Sequence, residues 1–224
     1  MKRISSILVL LSVYIINFYA NAAPGDAAIG LKAGTLGAGI EATFEVADRF
    51  NIRVGGNYFK LGTEVDVEGN DYDLDLKLNS YAALGDWFVT DAPFRVTAGL
   101  VLNNNNLNGE ALPSNSYEIG DLIFTNAEVG NLNAEIDFKS LAPYLGIGWG
   151  NPLADDSDWT FFLDLGIIFA GKPSLDITST GGALSDDPIL LDSIAQVEQD
   201  FRDTDEINYL KFYPVISVGL NYRF

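Results

Sequence analysis

The sequence contains no cysteine and no histidine, and only 13 lysines and arginines stand against 31 aspartates and glutamates. Each shortage removes a class of chemistry. Without cysteine there is no disulfide framework and no thiolate metal site. Without histidine there is no imidazole base and no haem held by histidine. Affinity for nucleic acid comes mainly from lysine and arginine, so a chain of net charge −18 is not expected to bind it. Long apolar runs are also missing. After Ala22 no stretch approaches 18 apolar residues, which excludes a membrane-spanning helix in the remainder. What is present is an unusual pairing of properties. The chain is 48% hydrophobic and 12% aromatic, yet strongly acidic.

The first 22 residues explain part of this. Lys2 and Arg3 precede an apolar run from Ile7 to Phe18, and Ala20-Asn21-Ala22 supplies the small residues of an A-x-A cleavage site. This pattern predicts a secretory signal peptide over 1–22, with one domain over 23–224. A membrane anchor would need about 20 apolar residues, more than the run provides. Loss of Lys2 and Arg3 would take the net charge from −18 to −20.

The remainder alternates with period two, the spacing of a strand with two different faces. Ile216, Val218, Leu220, Tyr222 and Phe224 are apolar, with Ser217, Gly219, Asn221 and Arg223 between them. Trp159, Phe161, Leu163, Leu165, Ile167 and Phe169 repeat the pattern, as do Phe94 to Leu102, Leu36 to Phe44 and Leu145 to Trp149. The polar set decides the architecture. A soluble sandwich turns one face to water and crowds it with charged side chains. Here that face is mainly Gly, Ala, Ser, Thr and Asn with single charges, which suits the inside of a narrow closed barrel whose apolar outside meets lipid. Aromatics gather at strand ends, at Phe50, Trp87, Phe88, Phe94, Trp149, Trp159, Tyr222 and Phe224, as interfacial girdles do.

The closing Tyr222-Arg223-Phe224, with its alternation back to Ile216, resembles the C-terminal strand signature of small bacterial outer-membrane β-barrels. The resemblance implies that Tyr222 and Phe224 form the signal read by the barrel-assembly machinery, at the periplasmic side. Thr35-Leu36-Gly37 and Leu145 to Gly150 are similar to segments of an uncharacterised proteobacterial barrel family, a likeness that carries no activity with it. The expected fold is therefore all-β: a single antiparallel transmembrane barrel of about eight strands, with long extracellular loops and one short loop helix.

Turns set the topology. Short connections at 47–49, 90–93 and 151–158 suit the periplasmic side, while those near Gly69, from Asn104 to Asn131 and from Gly171 to Ile207 suit the outside. Seven strands are read directly. An even count requires an eighth, for which Ala27 to Ala33, turning at Gly34, is the candidate. Tyr117 to Phe124 reads as a small outer hairpin. Asp187 to Asn208 contains an amphipathic helix, with Leu190, Ile194, Val197 and Phe201 on one face. Between Val65 and Leu76, Gly69-Asn70 is a two-residue hairpin signal. That register sets Arg53 opposite Asp86, Tyr58 opposite Tyr81 and Glu64 opposite Asp75.

Two groups of residues are candidates for function. Glu41, Arg53, Asp86, Arg95 and Asp164 all point inward, forming a polar lumen network of mixed sign. In a barrel this narrow such side chains are expected to plug the lumen. Glu64, Asp66, Glu68, Asp71, Asp73 and Asp75 share one face of the outer hairpin, where like charges repel. Divalent cations, such as those between lipopolysaccharide head groups, would relieve that repulsion. Asp71 to Asp75 mimics the start of an EF-hand, but Leu76 stands where Gly is required. The functional expectation is an integral outer-membrane protein without catalysis or cofactor, with a structural or surface-interaction role carried by acidic loops. Its partners would be outer-membrane lipid and lipopolysaccharide. A narrow porin-like channel is the alternative, and a lipid-acting enzyme the remotest.

Overall fold

The computed structural model describes residues 27–67, 70–90, 92–112, 116–153, 157–205 and 207–224, with backbone alone for 65–67, 70–72, 208 and 209. The expected signal segment, 1–22, lies outside the described residues.

Eight long strands form the wall: β1 (Ala27–Gly34), β2 (Gly37–Ala47), β3 (Phe50–Val67), β4 (Asn70–Phe88), β5 (Phe94–Asn103), β10 (Leu141–Trp149), β11 (Trp159–Phe169) and β13 (Phe212–Arg223). Each pairs antiparallel with the next, and β1 pairs with β13 from Ala28–Arg223 to Gly34–Ser217, so the sheet closes. The eighth strand that parity demanded is β1, turning through Thr35-Leu36 into β2.

Closure separates the two faces that the alternation announced. Leu31, Ile40, Tyr58, Tyr81, Leu100, Leu145, Phe161, Ile167, Phe212 and Val218 all stand exposed on the outside, and Phe161 is 82% exposed. An apolar surface of this extent is far beyond the patches a soluble monomer shows, and it matches a lipid-facing band. At the end holding the short turns, Trp87, Trp149, Trp159 and Tyr222 face outward, with Trp159 against Tyr222 at 4.9 Å between ring centroids. Phe88 does not join this girdle. One residue beyond Trp87, it takes the opposite face and is 3% exposed inside the barrel.

The hairpin of β3 and β4 rises well above the rest of the wall. Val67 pairs with Asn70, so Asn70 belongs to β4 and not to the expected Gly69-Asn70 turn. Partners are thereby displaced by two residues: Arg53 faces Leu84, Tyr58 faces Asn79 and Glu64 faces Asp73. A displacement of two preserves every side chain's face, because the strand period is two. The inward and outward assignments therefore stand, although the individual pairs do not.

On the projecting hairpin, β4 carries β6 (Asn106–Ala111), then β9 (Gly130–Asp137), then β12 (Ser174–Gly181), a sheet extension that the reading of these segments as loops did not foresee. Its inner face bears Leu74, Leu76, Leu107, Ala111, Leu132, Ile136 and Ile177. The hairpin of β7 (Ser116–Ile119) and β8 (Leu122–Thr125) packs there, with Tyr117 opposite Phe124. So does α2 (Pro188–Asp203), which follows the single turn of α1 (Asn126–Val129) in the chain and precedes that of α3 (Ile207–Leu210). Asp187 caps α2 by accepting a hydrogen bond from the Ile189 N–H at 2.9 Å, and Pro188 suits the first turn, where its missing donor costs nothing. Leu190 and Ile194 from α2 meet Tyr117, Ile119, Phe124 and Val129 in a core separate from that of the barrel. The expected loop helix is thus the clasp of a small folded cap.

Candidate functional site

The five inward charges converge. Arg53 Nη1 lies 2.8 Å from Asp164 Oδ2 and 3.4 Å from Glu41 Oε1, and its Nε lies 2.5 Å from Asp86 Oδ2. Arg95 Nη2 meets Asp164 Oδ1 at 2.6 Å, and Arg95 Nη1 donates to the carbonyl of Gly150. Arg53 and Asp86 come together diagonally, although their backbones are not opposite each other. All five residues are buried.

Two partners were not singled out in the sequence. Lys32 on β1 reaches Glu41 Oε2 at 2.9 Å, and the Thr97 hydroxyl donates to Asp86 Oδ1 at 2.6 Å. Lys32 shares the inward parity of Gly30 and Gly34. That signal was readable, but it needed β1 to be a strand with a known partner. With Lys32 included, three cations face three carboxylates. Charge balance matters here, because an uncompensated charge in a low-dielectric interior costs several kcal/mol. Planar guanidinium groups are suited to the task, since each offers five donors to several carboxylates at once.

An apolar layer lies directly above. On β4, β5 and β11 respectively, Leu84, Val101 and Ile168 sit nearer the cap than Asp86, Arg95 and Asp164. They pack with Ala142, Tyr144 and Val215. Tyr144 lies across the paired Gly146 and Gly166, where a Cβ at either position would meet its hydroxyl. Higher still, Asn57 donates to Ser80 at 3.1 Å. Thus a charged layer, an apolar layer and a polar layer fill the interior in turn.

The described carboxylates of the outer hairpin do not converge in this way. Side chains of Glu64, Asp73 and Asp75 are described, but only the backbone of Asp66 and Asp71 is, and Glu68 lies outside the described residues. Glu64 faces Asp73, and Asp75 lies 3.4 Å from Lys60. Among the described residues no group of three or more acidic side chains is placed to hold a metal. The acidic face is much wider than the hairpin, however. Across the sheet extension Asp75, Asn108, Glu135 and Asp176 stand in one row and Asp73, Glu110 and Asn133 in the next.

That crowding predicts a pH response of the cap. Burial, followed by the charges of Glu135 and Asp176, raises the pKa of Asp137 above the ordinary aspartate value. The folded cap then binds this proton more tightly than the unfolded chain does. Its stability is highest below the ordinary aspartate pKa and falls as pH rises through the raised one. Asp137→Asn is expected to flatten this dependence and to raise the cap's unfolding temperature at neutral pH. Unchanged melting profiles from pH 3.5 to 7 would contradict the assignment.

In fold the chain is similar to the crystal structures of Acinetobacter baumannii CarO2 and CarO, both outer-membrane barrels. The first has a TM-score of 0.55 at 21% identity, covering 88% of this chain and 98% of that one. The second has a TM-score of 0.53 at 20% identity, covering 90% and 98%. No protein-family model and no curated protein matches the sequence.

Proposed function

We propose that this protein is an integral barrel of the bacterial outer membrane, sealed across its lumen and without catalytic activity, which presents a folded acidic cap at the cell surface. The observation that carries this reading is the filled interior. A balanced six-charge cluster lies beneath an apolar layer, and the side chains of both are buried. The exposed apolar band and the fold likeness to the Acinetobacter barrels support the membrane placement. Short turns lie at the Trp87, Trp149 and Trp159 end, which makes the cap extracellular on the usual plan of such barrels. Tyr222 and Phe224, both exposed beside that end, are then available to the assembly machinery. The cap's role is structural or adhesive, a reading supported by the wide charged sheet of its outer face.

Reconstitution into planar bilayers tests the seal. The expected record is flat, without steps attributable to the barrel. Large, stable conductance steps in the purified protein would replace this reading with the channel alternative.

A further inference from the structure

Between the filled lumen and the cap lies a cavity of about 500 Å³, within the roughly 300–1,000 Å³ usual for small-molecule sites. Phe59, Leu76, Leu78, Leu107, Ile136 and Phe138 make its lining mostly apolar. Asn103 and Asn105 also line it, and they are only 4% and 6% exposed. The amide oxygen of each is already occupied. Asn103 Oδ1 accepts the Asn105 backbone N–H at 3.3 Å, and Asn105 Oδ1 accepts that of Asn79 at 2.8 Å. A backbone donor can only meet the oxygen, so the two Nδ2 groups are the ends left to the cavity. Among the described residues neither Nδ2 donates to a protein acceptor. The chamber therefore offers hydrogen-bond donors in an apolar surround. That combination suits an aliphatic body ending in an oxygen acceptor.

The uneven height of the wall supplies an entrance. β2 pairs with β3 only as far as Ala38–Tyr58, and β1 with β13 only as far as Gly34–Ser217. Above the turn, β3 continues to Val67 and β13 begins at Phe212, so both present unpaired edges across a gap. The turn itself is tied down, with Tyr213 Oη donating to the Thr35 carbonyl at 2.6 Å and Thr35 Oγ1 to that of Pro214 at 3.0 Å. Gly34, Thr35 and Gly37 line the cavity, which places it directly behind the gap. Phe59, Leu210 and Phe212 are exposed around it. On β3 the gap starts at Tyr58, the last lipid-facing aromatic before Lys60. It thus opens where the apolar band ends.

We propose that this cavity binds an acyl chain bearing a carbonyl oxygen, which enters sideways above the β1–β2 turn and is held by the amides of Asn103 and Asn105. An outer-leaflet lipid and a free fatty acid share this chemistry. Photo-crosslinking in vesicles separates them, with a diazirine placed in a phospholipid acyl chain in one arm and in a free fatty acid in the other. Attachment to the Leu76–Leu78 and Leu107 peptides is expected in at least one arm, and that arm names the source. Leu107→Trp, which fills the cavity, should remove this attachment at least tenfold, and Asn103→Leu should lower it severalfold. Labelling of outward Leu100 and Phe161 should continue in both variants, reporting an intact barrel in lipid. Attachment confined to outward residues in both arms would overturn the site. So would cavity attachment that survives Leu107→Trp. Loss of labelling at the outward residues as well would count against the membrane placement instead.

Discussion

Replacing Arg53 by Met is expected to destabilise the barrel by about 3–5 kcal/mol, the usual cost of removing one partner from a buried ionic group. Arg53 is the hub, within 3.4 Å of carboxylates from three different strands. Its loss leaves Glu41, Asp86 and Asp164 with Lys32 and Arg95, a net negative charge in a buried site. Urea unfolding in lipid vesicles, followed by tryptophan fluorescence, measures the effect. Two further outcomes separate an ionic role from mere packing. Pairing Arg53→Met with Asp86→Leu should cost less than the sum of the two single changes, because residues in one network are coupled. The single variant should also remain non-conducting, since the apolar layer of Leu84, Val101, Tyr144, Ile168 and Val215 is untouched. A loss below 1 kcal/mol would show that the cluster is solvated rather than sealed.

Leu190→Asp is expected to unfold the cap and spare the barrel. Leu190 is fully buried on α2 in one core with Val129, Ile119 and Phe124, seven buried residues among those described. Truncating such a leucine to alanine typically costs about 2–5 kcal/mol. A carboxylate there has neither a partner nor water, so the penalty is larger. The barrel's own apolar cluster shares no residue with this one. Limited proteolysis should then cleave within 104–140 and 170–211 while the eight wall strands survive as a protected core. Leu190→Ala should give the same map more weakly. Cleavage throughout the wall strands would show that cap and barrel fold as one unit.

These two regions differ sharply in how legible they were. The barrel announced itself because each wall strand must satisfy lipid outside and a crowded interior inside, so period two is enforced along its whole length. The same constraint made the inward charges identifiable, and Arg53 with Asp86 emerged as partners even under a displaced register. The displacement came from the turn. Gly69-Asn70 is a good two-residue signal, but sequence alone does not choose between registers two residues apart, because both leave every face unchanged. β6, β9 and β12 were missed for a different reason. Their sequences, such as N-L-N-G-E-A, alternate only briefly and are rich in Asn and Gly, which disfavour strands. They are strands because the tall β4 edge offers a template, and that edge exists only once the hairpin is built. Lys32 was overlooked on similar grounds, since its partner Glu41 lies on a strand whose pairing had to be known first.

The junction of β1 with β13 has a consequence for how the molecule comes into being and how long it lasts. It joins Ala28 to Arg223, residues far apart in the sequence. Contacts this distant in sequence make folding slow, because chain entropy is surrendered long before the contacts that reward it exist. Until β13 docks, both margins of the sheet are open and will accept any other strand. Docking closes the wall from Ala28–Arg223 to Gly34–Ser217 in a single event. Leaving the folded state then requires that whole seam to part, so the finished molecule is protected as much by the slowness of its opening as by the depth of its energy well.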